Sequence, residues 1–338
     1  MYKRQDLALV VYLRTGDRWA ACVITRDRLS HVSVQADGLL DRVERLRFQL
    51  DALRFASPAL RAHGPQMVDR CRAHLRALHA SLWAPLQALV GDRTRVVIVA
   101  QGALHYVPFG ALHDGSQSLI DRHEIVLAPS VALWATGSAR ELEFDQPPRR
   151  VAVLGAGSAA LPHIVREVRA VADAFRRRPG GGAVVHLDDD TTRVALRRAL
   201  DGADVLHLAC HGQFRADSPY LSSLHLGDGP LTLREAANLP LAARLVTLSA
   251  CETGLSRVAP GDEQLGLLRG FLIAGARRVV STLWTVDDAA TATLMTDFYD
   301  ALLGGERPTA ALRAAQRALA AEHPHPYLWA GFTLHERG

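Results

Sequence analysis

The sequence predicts an α/β protein built on a mainly parallel sheet. Short apolar runs rich in Val, Ile and Leu, such as "RVAVLGA", "ADVLHLACHG", "RLVTLSAC" and "RRVVSTLW", have the unbroken apolar character of strands covered on both faces. Between them lie stretches whose apolar residues recur at threes and fours, the spacing of a helix with one buried face. The two kinds of segment alternate along the second half of the chain, as βα units do.

The elements come in order. "LALVVYL" and "WAACVIT" read as strands around a turn at Thr15-Gly16-Asp17. The basic residues ahead of the first run echo a signal peptide, but Arg14, Asp17 and Arg18 come after it with no small-residue cleavage site, so a strand is expected. "LLDRVERLRFQLDALR" and "MVDRCRAHLRALHASLWAPLQALV" are expected helices, and "RVVIVA" and "EIVLAPS" buried strands. "EFDQPPRR" marks a seam at Pro147-Pro148, which divides residues 1–146 from residues 147–338. Beyond it come strand "RVAVLGA", helix "IVREVRAVADAF", strand "AVVHL", helix "TTRVALRRAL" and strand "ADVLHLACHG". A short helix, "LTLREAANL", has Thr232 and Glu235 at capping-box spacing. "RLVTLSAC", the helix "DEQLGLLRGFLIAGA", "RRVVSTLW" and two further helices precede "PYLWAGFTLHE", read as a last strand.

Composition narrows the function classes. Hydrophobic residues at 49% and charged residues at 22% suit a globular protein, and no apolar run approaches a membrane span. The net charge of +4 and pI near 9.1 raise a nucleic-acid-binding alternative. Lys3 is the only lysine among 39 basic residues, and the arginines are spread evenly rather than interleaved with aromatics. General surface charge is the better account, so neither nucleic acid nor a membrane is expected as a partner. Cys22, Cys71, Cys210 and Cys251 are widely spaced with no CxxC pair, which fits free thiols in a reducing cytoplasm.

Chemistry concentrates at two strand ends. "VLHLACHG" ends in His211-Gly212 and "LVTLSACETG" in Cys251. If these strands lie side by side and parallel, both residues reach the carboxyl edge, where open α/β sheets bind ligands. Neighbouring strands are about 4.8 Å apart, so imidazole and thiol come within reach. Histidine lowers a thiol's pKa and yields a nucleophilic thiolate. The backbone amides of Gly212 and Cys251 are the candidate oxyanion donors. A lone Cys at a strand end is more often core; the pairing with a histidine on the preceding strand reverses that weighting.

These segments, with "GLLRGFLIAGARRVVSTLWTVDD", "HPYLWAGFTL", "IVAQGALHYVPFGALHDG" and "VLAPSVALW", resemble the CHAT family of caspase-like bacterial cysteine peptidases, related to separase. The resemblance implies a caspase-like three-layer α/β sandwich, preceded by a second α/β half like a degenerate protease. It further implies a His211–Cys251 dyad, no metal or cofactor, and cleavage of a specific protein partner in bacterial defence or regulated cell death. An activating protein partner is also expected. Family members commonly carry tetratricopeptide repeats upstream, and no such repeat is visible in this sequence. A catalytically silent scaffold for protein interaction remains the alternative.

Other signals are weaker. His207 and His211 have the i, i+4 spacing of a helical zinc pair, but on a strand that spans roughly 13 Å, so His207 is expected to be buried and hydrogen-bonded. Cys210 faces away from His211 by strand alternation and is expected in the core. "VLGAGSAALP" lacks a third glycine and reads as a strand-to-helix turn. Asp262, Glu263, Asp287 and Asp288 are candidate substrate-binding residues for a basic side chain, with helix capping the competing role for all four. Trp284 and Trp329 read as packing.

Overall fold

The apolar runs assemble into one large sheet with helices on both faces. The computed structural model describes residues 6–16, 18–35, 38–54, 64–135, 146–157, 163–213, 222–249 and 265–337. The first half contributes β1 (Leu7–Thr15), β2 (Arg18–Ile24), β3 (Leu29–Val34), α1 (Leu39–Arg54), α2 (Gly64–Leu78), β4 (Arg95–Val99) and β5 (Glu124–Leu127). Then come β6 (Arg150–Ala156), α3 (His163–Arg176), β7 (Gly182–Leu187), α4 (Arg193–Ala199), β8 (Val205–Cys210) and β9 (Gly212–Gln213). A hairpin of β10 (Ser223–Leu226) and β11 (Gly229–Thr232) leads to α5 (Leu233–Ala237), β12 (Leu245–Ser249) and α6 (Leu265–Ala274). The described chain closes with β13 (Arg278–Thr282), α7 (Asp288–Leu303), α8 (Pro308–Glu322), α9 (Pro326–Trp329) and β14 (Phe332–Glu336).

The strand order is β3-β2-β1-β4-β5-β14-β13-β12-β8-β6-β7, with a separate small sheet β11-β10-β9. Most neighbours are parallel; β1–β2, β2–β3 and β13–β14 are antiparallel. Every residue of β4, β8 and β12 is buried, which explains their largely apolar sequence. Alternation along the strands sorts the core of the second half into two layers. Val205, Ala209, Leu245 and Val280 pack with α3 and α7, while Leu206, Leu208, Val246 and Leu248 pack with α4, α5 and α6.

Several elements differ from the sequence expectation. β3 was not foreseen: its exposed and half-buried positions give an edge strand little apolar signal. The long second helix breaks after Leu78 into a π turn, His79–Trp83, and a 3-10 turn, Ala84–Leu86. Pro85 lacks the N–H that would bond Ser81, so the helical ladder cannot run through it. "PYLWAGFTLHE" is a short helix, α9, and then β14, because Pro326 at the first helical position starts a turn rather than a strand. The hairpin β10–β11 is a further addition, although its two-residue loop, Gly227-Asp228, is a hairpin signal. The capping box of Thr232 and Glu235 is present as expected.

The strands of the two halves form contiguous blocks that meet at β5 and β14, where a single residue pair, His335↔Leu127, joins them. Because β14 is parallel to β5 and antiparallel to β13, the parallel strands of the two halves run in opposite directions. Buried charge reinforces this thin junction. Glu336 on β14, fully buried, pairs with Arg95 of β4 and, at 3.1 Å, with Arg278 of β13. Glu124 on β5 pairs with Arg307 at 2.9 Å and accepts the Thr309 hydroxyl at 2.6 Å, tying the start of α8 to the first half. A buried guanidinium stripped of its carboxylate is costly, so Glu336→Ala is expected to lower stability by about 3–5 kcal/mol. Urea unfolding of the purified protein measures this; a loss below about 1 kcal/mol, the range of exposed pairs, would show that the junction does not depend on the charges.

Candidate active site

β8 and β12 are parallel neighbours, in register from Val205↔Leu245 to Ala209↔Ser249. His211 comes immediately after β8 and is half-buried. Cys251, Asp262 and Glu263 lie outside the described residues, as do Arg215 and Asp217. Cys251 stands two positions beyond Ser249 in the sequence, as His211 stands two beyond Ala209.

His211 is gripped from two sides. Its carbonyl accepts the His225 N–H at 2.8 Å, which joins it to the β10 hairpin. Its ring lies against the bare main chain of Gly157, just beyond β6: a β-carbon there would sit 2.9 Å from the ring's Cδ2 and 3.4 Å from Nε2. Gly157 has φ of +93°, so glycine is required both for its backbone and for the room it leaves. The amide of Gly212 belongs to the same trans peptide as the His211 carbonyl and points the opposite way, away from β10. β9 is the edge strand of the small sheet.

Beneath His211, on the same face of β8, lies a buried polar cluster. The Tyr299 hydroxyl donates to Thr247 Oγ1 at 2.8 Å and stands 3.1 Å from His207 Nδ1, from which it accepts. His207 Nε2 faces Glu167 Oε1 at 3.2 Å, with both side chains buried. The expectation for His207, buried and hydrogen-bonded, is met, and Cys210 is buried on the opposite face. Sequence reasoning missed Glu167, although a glutamate among Ile164, Val168 and Val171 on the apolar face of α3 is a legible anomaly.

Asp287 is the N-cap of α7, its Oδ1 accepting the Ala290 N–H at 2.9 Å. Its carboxylate therefore has the structural role that competed with substrate binding. Asp288 turns inward and is half-buried. Burial raises its carboxyl above the ordinary aspartate range; the His163 and His211 imidazoles oppose that shift, while Asp287 and Glu167 add to it. Trp284 and Trp329 are buried packing residues, and the Trp284 indole donates to the Tyr327 carbonyl at 3.1 Å.

The structure brings together a cysteine and a histidine that the sequence did not pair. Cys71 Sγ of α2 lies 3.5 Å from His325 Nε2, at the start of α9. Its environment opposes nucleophilic chemistry: burial pushes the thiol up to about 12 and the imidazole down to about 4. His325 Nδ1 already accepts the Tyr327 N–H at 3.2 Å, which fixes the neutral ring. It is a packing contact between the two halves.

Known proteins share this architecture. The CHAT domain matches residues 72–336. The chain belongs to the CHAT family. Tetratricopeptide repeat protein 28 of mouse is 28% identical over 320 residues, covering 77% of this chain and 13% of that protein. The human protein of the same name is 26% identical over 325 residues, with the same coverage. These relatives are mammalian, and the CHAT chain spans only about an eighth of their length. Among solved structures, yeast (Saccharomyces cerevisiae) separase in complex with securin matches with a TM-score of 0.66 at 9% identity, over 98% of this chain and 30% of that one. The Arg-specific cysteine proteinase gingipain R matches with 0.52 at 9% identity, over 100% of this chain and 78% of that one. The fold is caspase-like, as the sequence resemblance implied.

The Cys71–His325 pair has two measurable outcomes. In the native CHAT protein at pH 8, iodoacetamide is expected to leave Cys71 unmodified and to label it once urea unfolds the chain, as peptide mass mapping would read. His325 titrates at about 4 when folded, below its ordinary 6.5, so the unfolded chain takes up the proton first. The stability it contributes is therefore complete above pH 6.5 and lost as pH falls toward 4. His325→Gln is expected to flatten that acid limb in urea titrations at stepped pH.

Proposed function

We propose that this CHAT protein is a cysteine endopeptidase in which Cys251 is the nucleophile and His211 its acid–base partner. One observation carries the proposal. β8 and β12 are parallel and in register up to Ala209↔Ser249, and the two residues of the dyad lie equal steps beyond that last pair. In sequence, His211 is in phase with His207 and Cys251 with Thr247, the phase that shares one face wherever a strand alternates.

In the reaction, the Cys251 thiol gives its proton to His211, and the thiolate attacks the scissile carbonyl carbon. The carbonyl oxygen becomes an oxyanion and receives the N–H groups of Gly212 and Cys251. As the tetrahedral centre collapses, the C–N bond breaks and His211 returns the proton to the departing amine. Water, deprotonated by the same imidazole, hydrolyses the thioester and restores the thiol.

The contiguous strand blocks support a division into a pseudo-protease-like half, residues 1–146, that buttresses a caspase-like catalytic half, residues 147–338. The substrate is taken to be a specific protein, cut after a basic residue. Asp188, Asp189 and Asp190 come after β7 at the carboxyl edge, and Asp288 lies beside the site, which makes its surroundings acidic. Such surroundings favour arginine or lysine and repel aspartate. With Asp287 used as a cap, Asp262 or Glu263 is the candidate for direct contact. The separase structure is a complex with securin, which supports protein partners here too. A catalytically silent scaffold for protein interaction is the competing account.

Incubation with lysate of the native host and mapping of new protein termini tests the proposal. Cys251→Ala and His211→Ala are each expected to abolish the cleavages while circular dichroism stays native. Full cleavage by the Cys251→Ala protein refutes the dyad. A fluorogenic peptide library is expected to show turnover after arginine or lysine; turnover after aspartate alone would overturn the basic preference.

A further inference from the structure

Asp188 has φ of +48°, and among the described residues no other non-glycine residue has a positive φ. The left-handed region costs an L-residue about 1–2 kcal/mol, and strain of this kind often gathers beside a functional site. Asp188 stands where β7 ends, and Ala156 of β6 is its in-line neighbour by continuation of the Gly155↔Leu187 pair. Its Oδ1 accepts the N–H of Gly157 at 3.2 Å, on the neighbouring strand's turn.

Gly157 is the residue whose bare main chain forms a wall of the His211 ring. Asp188 therefore holds the peptide against which the imidazole rests. Its own turn is held in place in several ways. The Asp188 carbonyl accepts the Thr191 N–H at 2.9 Å, and the Thr191 hydroxyl donates to the Gly155 carbonyl at 2.9 Å. The Thr191 carbonyl accepts the Gly227 N–H at 2.8 Å, and a side chain on Gly227 would run into the Asp188 carbonyl. Gly227 belongs to the same hairpin whose His225 N–H holds the His211 carbonyl. The β6 turn, the β7 turn and the β10–β11 hairpin thus form a closed ring of contacts with His211 inside it.

We propose that Asp188 is a positioning residue for the reaction: its carboxylate fixes the Gly157 peptide, and that peptide fixes the ring of His211 at the angle from which it takes the proton of Cys251. This rests on the His211–Cys251 dyad. An imidazole displaced by about 1 Å can cost on the order of 100-fold in rate, so a hydrogen bond one residue removed from the ring is enough to matter.

Three substitutions separate positioning from mere turn structure. Asp188→Asn keeps an acceptor oxygen and tolerates the left-handed backbone. Asp188→Gly keeps the backbone without strain but loses the acceptor, and Asp188→Ala loses both. Two probes read them. The first is the rate at which iodoacetamide alkylates Cys251 across pH, by peptide mass mapping. The second is the ring signal of His211 in a protein with labelled histidine, assigned by its absence in His211→Gln. Asp188→Asn is expected to match the wild type in both. Asp188→Gly is expected to slow alkylation of Cys251 at pH 6.5 by about tenfold and to move the His211 signal, with urea stability undiminished. Asp188→Ala shares those changes and also loses stability.

Alkylation and ring signal both unchanged in Asp188→Gly would overturn the proposal, as would an Asn variant as defective as Ala. If Cys251 of the wild type alkylates as an ordinary thiol, the dyad fails. The His211 signal then still decides whether Asp188 positions the ring.

Discussion

Two neighbouring strands, β8 and β12, run parallel and share a main-chain ladder from Val205↔Leu245 to Ala209↔Ser249. Both are buried on both faces, so a slip of one residue would turn each apolar side chain to the wrong layer and expose the polar ones to the core. The register is thus set by burial of the whole strand pair. A catalytic pair placed on flexible loops would have to order itself at some entropic cost. His211 instead stands immediately beyond this rigid ladder.

The polar cluster under His211 adds a second constraint of another kind. His207, Thr247, Tyr299 and Glu167 come from β8, β12, α7 and α3, so one network touches both strands of the ladder and the two helices that cover this face of them. A buried group that lacks its partner is penalised far more than a satisfied one is rewarded. The network therefore penalises any sliding of α3 or α7 relative to the strand ends. The start of α3 comes after the Gly157 turn in sequence, and the start of α7 carries Asp288. Both helices bring their N-terminal ends to the neighbourhood of His211.

Much of this is legible in the sequence alone. The apolar runs of β4, β6, β8 and β12 announce strands buried on both sides, and His211 and Cys251 stand out because each ends such a run. The capping box at Thr232 is readable because its physics is local. The features that escape detection depend on contacts far apart in sequence. β3 is an edge strand, whose exposure weakens its pattern. The left-handed Asp188 looks in the sequence like one aspartate of three, since its conformation is imposed by Gly157 and Gly227 from neighbouring turns. Cys71 and His325 lie 254 positions apart, and no spacing rule connects them. Glu167 is readable in principle, as a charge on the apolar side of an amphipathic helix.

β14 has a temporal consequence. It is the last strand in chain order among the described residues, yet it sits between β5 and β13 in the middle of the sheet. During synthesis, β5 and β13 must both emerge and fold while their facing edges lack the strand that separates them. An unpaired edge is a template for another chain, and an incompletely folded chain is the species most prone to aggregation. The nascent protein thus carries two open sheet edges until β14 leaves the ribosome. Chaperones acting on it would find their target there, and a truncation that removes β14 would leave both edges exposed permanently.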